Sequence, residues 1–284
     1  MKSKNQMMLL LATATLFAAC GGSDDEAVIP APQPQQPRML TVEVGERPMQ
    51  TESGAKAPRR AGDATTTETL NTFTMCVDNK DWYATLTKTD GKWTTSWPGG
   101  NDSKKWNFYA YNVGSENEFV WNGGDPYVSF TMDEKANFQK DFLVAKTAEE
   151  KSYNETNGKI SLTFDHACAA VQFYVYKEES ATYVVKDIQL QNVYKQGDYH
   201  FNNNTWSDLS TPANFTLTTG EITPSDTKTL LPKEWLYVIP QSKEGMKLQI
   251  KYTKDGGTET TKLIDLSGSW AAGNQYTVNI KIGK

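Results

Sequence analysis

The sequence has few of the side chains on which catalytic and metal sites are most often built. Its 284 residues include two histidines, His166 and His200, and three cysteines, Cys20, Cys76 and Cys168. Neither histidine has metal-ligand spacing to the other or to a Cys-x-x-Cys pair. The sequence also lacks a glycine-rich phosphate loop and a serine nucleophile elbow. We therefore expect a protein that is not an enzyme and that uses no cofactor and no metal.

The remaining Cys and His residues favour packing over chemistry. His166 lies two residues before Cys168, which raises the question of a Cys-His pair. Residues two apart on one strand are separated by about 6–7 Å, too far for the contact that a nucleophile and its base require. Cys76 and Cys168 stand in apolar, strand-like surroundings and are expected to be buried small hydrophobic residues. One disulfide between them is the alternative.

Basic residues do not outnumber acidic ones, since 29 Lys and Arg stand against 34 Asp and Glu. The formal net charge is −5, and no basic stripe is present to neutralise phosphates, which argues against nucleic acid as a partner. Beyond the first residues, no segment is long and apolar enough to cross a membrane, which takes about 20 residues.

The N-terminus has the form of an export signal. Lys2 and Lys4 precede an apolar stretch from Met7 to Ala19 that is too short to span a bilayer, so residues 1–19 are predicted to be a cleaved signal peptide. The stretch ends Leu16-Phe17-Ala18-Ala19-Cys20, which resembles a bacterial lipobox, with Phe17 where leucine is usual. This resemblance implies a lipid on Cys20 that anchors the chain in the outer membrane. An ordinary signal peptide followed by a chance cysteine is the alternative.

Residues 20–38 are predicted to be a disordered tether. They are acidic directly after Cys20 and rich in proline and glutamine from Pro30 to Pro37, so they cannot bury a core. The acidic cluster resembles a signal for export of lipoproteins to the cell surface. A plain charged tether is the alternative.

The body is predicted to consist of strands and turns throughout. Asp90-Gly91 predicts a hairpin between Trp82–Thr87 and Lys92–Trp97, and a second hairpin is predicted between Lys247–Thr253 and Thr260–Leu266. Many short strands with Gly, Asn and Asp turns favour an all-β sandwich fold. A polar stretch at residues 146–158 suggests a boundary, giving an N-terminal domain at 61–155 and a C-terminal domain at 156–284.

Five short segments occur in a characteristic order: Trp106–Tyr111, Asp141–Ala145, Leu162–Val171, Leu236–Gln241 and Trp270–Tyr276. In this order they resemble the fimbrillin (Mfa-like) family, which comprises type V pilus subunits and related surface lipoproteins. The resemblance spans nearly the whole chain. It implies two tandem transthyretin-like β-sandwich domains, export as a lipoprotein, proteolytic activation and assembly with other pilin subunits.

The resemblance also gives a role to residues 39–60. Leu40, Val42 and Val44 lie on one face of a short predicted strand, and a linker follows that ends in Arg59-Arg60. In fimbrillins an arginine-specific protease cuts such a linker, which removes the first strand and leaves a groove for a strand of another subunit. Arg60 is the preferred cleavage site, Arg59 the next and Arg47 a weaker one. The alternative is that Arg59-Arg60 is a solvated basic pair in a loop.

The C-terminus suggests which kind of subunit this is. Stalk fimbrillins continue past the final strand with an extension that is donated to the next subunit. The present sequence stops at Lys284, shortly after the alternating stretch Tyr276–Ile280. We therefore expect a tip or accessory pilin that accepts a strand from a stalk pilin.

The aromatic residues support an alternative function. Trp93, Trp97 and Trp121 lie close together in the sequence, and aromatic faces on a β-sandwich surface could stack on sugars. The chain would then be a non-polymerising cell-surface lipoprotein that binds a host glycan or protein. Packing of these rings in the core is the other interpretation.

Overall fold

Nearly all regular structure in the computed structural model is β-strand, and the predicted all-β class is confirmed. The structure describes residues 38–51, 70–113, 119–217, 220–231 and 235–283. These residues belong to one compact unit. The predictions for Cys20, Arg59 and Arg60, and for the signal peptide and nearly all of the tether, fall outside the described residues.

The described ranges contain eighteen strands. The first nine are β1 (Met39–Glu46), β2 (Gln50–Thr51), β3 (Thr72–Val77), β4 (Tyr83–Thr87), β5 (Trp93–Ser96), β6 (Phe108–Tyr111), β7 (Phe119–Asn122), β8 (Asp125–Thr131) and β9 (Leu143–Lys146). The next nine are β10 (Lys159–His166), β11 (Ala169–Lys177), β12 (Tyr183–His200), β13 (Thr205–Thr216), β14 (Thr229–Leu230), β15 (Leu236–Val238), β16 (Lys247–Lys254), β17 (Thr260–Asp265) and β18 (Asn274–Ile282).

Helical structure is short where it occurs. Within the described ranges it comprises the 3-10 turns Asp78–Lys80 and Ala136–Phe138 and the four-residue helix α1 (Tyr153–Thr156). Ser152 caps α1 by accepting a hydrogen bond from the Glu155 backbone N–H, and the Glu155 carboxylate accepts one from the Ser152 N–H. This capped turn ends at Asn157 and leads directly into β10.

The strands form three sheets. The seven-stranded sheet has the order β4-β3-β6-β9-β10-β1-β5. The second sheet has the order β14-β11-β18-β2, with β15 also on β11, and the third has the order β17-β16-β12-β8-β7, with β13 also on β12.

One predicted hairpin is confirmed and the other is wrong in its pairing. β16 and β17 pair from Lys247 opposite Asp265 to Tyr252 opposite Thr260. The turn at Asp90-Gly91 forms with positive φ at both residues, but β4 pairs with β3 and β5 pairs with β1. β1 thus takes the place beside β5 that the prediction gave to β4. Only the isolated bridge between Thr89 and Lys92 joins the two arms near the turn.

Two hydrophobic cores result from this arrangement. The first core consists of residues from the seven-stranded sheet and its connecting loops, so this sheet curls around its own apolar face. The second core lies mainly between the other two sheets and also takes side chains from the opposite face of the first. β6 shows the alternation: Phe108 and Ala110 enter the first core, and Tyr109 and Tyr111 enter the second.

The sheets do not divide at residues 155 and 156, where the sequence suggests a domain boundary. β10 lies in the seven-stranded sheet with β9, and β8 pairs with β12 in the third sheet. The boundary and the assignment of two tandem transthyretin-like sandwiches stay predictions.

Phe142 and Phe138 provide a matched test of the second core. Phe142 is fully buried and stacks on Phe130 with ring centroids 4.6 Å apart, whereas Phe138 is 62% exposed. We expect Phe142→Ala to lower the free energy of unfolding by about 3–5 kcal/mol, because it leaves a cavity. Phe138→Ala should change it by about 0.5 kcal/mol or less. Urea denaturation of both variants measures the difference, and equal losses would contradict this placement of the core.

Candidate functional site

The first strand, β1, lies inside a sheet and not at its edge. It runs parallel to β10, from Thr41 opposite Lys159 to Glu46 opposite Phe164. On its other side it runs antiparallel to β5, from Met39 opposite Ser96 to Val42 opposite Trp93. We call the channel between β5 and β10 the strand groove. Without β1, backbone groups along both of its walls would lose their partners.

The core-facing side of β1 supplies apolar side chains to the first core. Leu40 and Val42, two of the residues predicted to mark a removable strand, are 0% and 3% exposed. The third, Val44, is partly buried against the same core. At about 1.5–3 kcal/mol for each fully buried aliphatic side chain, Leu40 and Val42 together contribute an upper estimate of about 3–6 kcal/mol to holding the strand.

The start of β10 fits closely around the start of β1. The Thr41 N–H donates a hydrogen bond to the carbonyl of Gly158, at 2.7 Å. Gly158 has a φ of +72°, and a Cβ there would overlap the Met39 carbonyl oxygen. Glycine is required on both counts, since it accepts positive φ and leaves room for the neighbouring backbone.

The segment after β1 reaches the second core. Met49 is buried there at 3% exposure. The Gln50 N–H donates to the carbonyl of Gly273 at 2.8 Å, and β2 pairs parallel with β18. Residues 39–51 are therefore held by both cores.

The inward stripe of β1 ends in a carboxylate, Glu46, that meets a buried histidine. His166 Nε2 lies 3.3 Å from a Glu46 carboxylate oxygen, and His166 Nδ1 lies 2.5 Å from Oδ2 of Asp141. The three side chains are 6% exposed or less. Burial by itself lowers the pKa of His166, but the carboxylates of Asp141 and Glu46 outweigh it and raise the pKa above its ordinary value.

Arg47, the weaker candidate for cleavage, is held by its surroundings. Its guanidinium pairs with Asp165 at 2.7 Å, and its N–H donates to the Phe164 carbonyl at 2.8 Å. The next residue is Pro48, which lacks an N–H and fixes φ. A bond placed in this way does not offer a protease a free extended chain, so the geometry does not favour cleavage after Arg47.

The three tryptophans do not form a sugar-stacking surface. Trp93 and Trp97 are each 6% exposed in the first core, and the Trp97 ring packs edge-on against Phe108 and Tyr153. Trp121 is partly buried and packs against Tyr109. The interpretation as ligand-stacking rings is therefore wrong for Trp93 and Trp97, because their faces are covered by protein.

Cys76 and Cys168 are both free and buried, so the disulfide alternative is wrong. Burial raises the pKa of the Cys76 thiol to about 12 and also raises the pKa of Cys168. Within the described part of the chain, no cluster of three His, Cys, Asp or Glu side chains is arranged to hold a metal ion.

The described helices include none with the length and hydropathy that crossing a membrane requires.

Sequence reasoning missed the contact between Glu46, His166 and Asp141. Asp141 and His166 stand in two of the characteristic segments, each beside apolar residues that form a strand. A charged or titratable residue next to a buried strand was the available signal. The contact itself joins residues 25 and 120 positions apart, which no local pattern shows.

Comparisons with known proteins agree on the fold. Residues 55–284 match the model of the fimbrillin-like family. Among solved structures, a fimbrial protein from Bacteroides vulgatus is 20% identical with a TM-score of 0.55, over 86% of this chain and 95% of the other. A candidate cell adhesion protein from Bacteroides uniformis is 18% identical with a TM-score of 0.53, over 87% and 94%. Another from Bacteroides eggerthii is 16% identical with a TM-score of 0.51, over 88% and 87%. No protein with curated annotation matches.

The close approach at Gly158 gives a test of how tightly β1 is seated. Gly158→Ala and Gly91→Ala both place a side chain at positive φ, at +72° and +76°, but a Cβ at Gly91 meets nothing within 4 Å. Each variant should lose about 1–2 kcal/mol for its backbone conformation. Gly158→Ala should lose a further ~1–3 kcal/mol from overlap with Met39. Equal unfolding free energies of the two variants in urea denaturation would show that β1 does not pack against Gly158.

Proposed function

Because this chain belongs to the fimbrillin-like family, we propose that it is a structural pilus subunit that accepts the strand of another subunit in its strand groove. The observation that supports this most directly is the position of β1, which pairs on both sides and buries Leu40 and Val42. Removal of β1 would leave an apolar channel with unpaired backbone groups on both walls. Such a channel is a template for a β-strand of matching pattern.

Removal of β1 requires a break in the chain after Glu46, and we propose that it lies between β2 and β3. β2 ends at Thr51 and β3 begins at Thr72, so a cut after Arg60 or Arg59 divides no described strand. We assign the cut to an arginine-specific protease, with Arg60 as the first site and Arg59 as the second. After the cut, only noncovalent contacts would hold β1 and β2 to the body.

The lipid anchor and β1 lie on the same side of this cut. Cys20 and residues 39–46 both precede Arg59-Arg60 in the sequence. Before cleavage, a lipid on Cys20 would hold the chain in the outer membrane at the cell surface. Cleavage would leave the lipid with the released strand, so the body would pass from the membrane to the pilus in the same step that opens the groove.

An accepting role fits a tip or accessory pilin. Among the described residues, the last strand, β18, is paired with β11 from Ala170 opposite Gln275 to Lys177 opposite Ile282. This pairing within its own sheet supports an accepting role for the chain. The partners we propose are therefore other pilin subunits, including a stalk pilin that supplies the strand. A host glycan or protein would be bound by a pilus tip of this kind without any catalytic step.

Cleavage is tested on the soluble chain that begins after Cys20. Treatment with an arginine-specific protease should give a new N-terminus at Ala61, read by mass spectrometry. Arg60→Ala should shift the cut to Arg59, and the double variant should resist, whereas Arg47→Ala should behave as the parent. The cut chain should also bind a peptide from the C-terminal extension of a stalk pilin that the uncut chain does not bind. Resistance of the parent, or no gain in binding, would favour a non-polymerising surface lipoprotein.

Lipidation is tested in cells. The Cys20→Ala variant should lose incorporation of labelled palmitate and should leave the membrane fraction, because acyl chains provide the anchor. Cys76→Ala, which removes a buried thiol, is the control and should keep both properties. Absence of label from the parent chain would show that residues 1–19 act as an ordinary signal peptide, and unchanged labelling of Cys20→Ala would place the lipid on another residue.

A further inference from the structure

The inward stripe of β1 changes from apolar to charged at its end. Leu40, Val42, Val44 and Glu46 alternate along one face of the strand, which the period of two places toward the core. Opposite them on β10, the inward stripe of Ile160, Leu162 and Phe164 ends at His166. An aliphatic side chain at position 46 would be expected from the pattern. A carboxylate stands there instead, against the one buried histidine among the described residues.

The histidine is oriented by a second carboxylate. Asp141 is fully buried and lies 2.5 Å from Nδ1, which fixes the ring and turns Nε2 toward β1. With the ring doubly protonated, Nδ1–H donates to Asp141 and Nε2–H donates to Glu46. An N–H buried in this position costs free energy unless an acceptor meets it.

Other polar groups around the ring do not replace Glu46. On β10, Asp165 is adjacent in sequence but pairs with Arg47 at 2.7 Å. Tyr199 on β12 donates to Asn204, and Cys168 is a buried thiol whose pKa burial raises. The acceptor that faces Nε2 is the Glu46 carboxylate, at 3.3 Å.

We propose that His166 and Asp141 form a carboxylate-binding site at the end of the strand groove, which binds Glu46 of β1 and selects a replacement strand that carries Asp or Glu at the same register. The second half of this proposal rests on the proposed function. It specifies the partner strand as three alternating apolar residues followed, two positions on, by an acidic residue.

The site holds its strand more tightly at lower pH. The pKa of His166 is raised above 6.5 in the folded chain, so the stabilisation from its charged form is fully present below about pH 6.5. It is lost as the pH rises through the raised pKa.

The first half of the proposal, that His166 and Asp141 bind Glu46, is tested on the uncut chain. The measurement is hydrogen exchange of the β1 amides, corrected for intrinsic rates. Glu46→Gln keeps the shape and removes the charge, and it should speed exchange about tenfold at pH 6 and much less at pH 9. Glu43→Gln is the matched control, since Glu43 points outward and meets the Ser161 hydroxyl. Adding Glu46→Gln to His166→Gln should have no further effect. If His166→Gln fails to fold, the effect of Glu46→Gln on exchange at pH 6 and at pH 9 still tests whether charged His166 holds Glu46.

The second half of the proposal, the selection of an acidic replacement strand, is tested on a cut chain. Residues 55–60 are replaced by the site of an unrelated sequence-specific protease. The folded chain can then be cut whether or not Arg60 is a natural site. Three labelled peptides of residues 38–51 are then added: the parent sequence, the Glu46→Gln peptide and the Glu43→Gln peptide. The parent and the Glu43→Gln peptide should enter equally, because both keep the carboxylate at position 46. The Glu46→Gln peptide should enter about tenfold less at pH 6.

The outcomes separate the two proposals. Equal exchange of the Glu46→Gln and Glu43→Gln chains at both pH values would overturn the carboxylate site. Equal entry of all three peptides would overturn selection by charge. If the Glu46→Gln chain exchanges faster as expected but no peptide enters the cut chain, strand replacement and selection of a replacement strand are wrong, and the site serves only to hold β1.

Discussion

The pairing of β1 with β10 is the contact on which the first half of the molecule depends. It supplies hydrogen-bond partners to β10 along six residue pairs, and it places Leu40 and Val42 in a core that otherwise consists of one curled sheet and its loops. The curled sheet encloses its apolar face only if a strand joins β10 to β5, which comes earlier in the chain. β1 comes first in the chain, yet it fills the position between β5 and β10 in space.

Sequence alternation predicted which residues face the core much better than it predicted which strands pair. Leu40 and Val42 face the core as their spacing predicted, and β16 and β17 form the hairpin that their turn predicted. The turn at Asp90-Gly91 also forms, but its arms join other strands. A period of two determines the face on which a side chain lies. It does not determine which strand pairs with which, because several strands offer equivalent edges. The tryptophans were ambiguous for a related reason, since composition alone does not distinguish a buried ring from an exposed one.

The polar end of the strand groove lay beyond sequence reasoning in a different way. Glu46, Asp141 and His166 come from three separate parts of the chain, and only the parallel register of β1 on β10 brings the first and the last together. The resemblance to fimbrillins marked the segments that contain Asp141 and His166, whereas nothing in the residues around Glu46 set it apart from the exposed Glu43. The two glutamates differ in the face of β1 on which they lie. The inward face matters for Glu46 only because the fold places His166 beside it.

The direction of β1 also has a mechanical consequence. A strand at the end of a hairpin can be peeled away one hydrogen bond at a time by a force across its axis. A strand that lies between two neighbours and is pulled along its axis loads its backbone hydrogen bonds in shear, so many of them must break together. The turn at Gly158, which closes over the Met39 carbonyl, lies at one end of this shear path. β1 is therefore placed to resist a pull along its axis better than a pull across it.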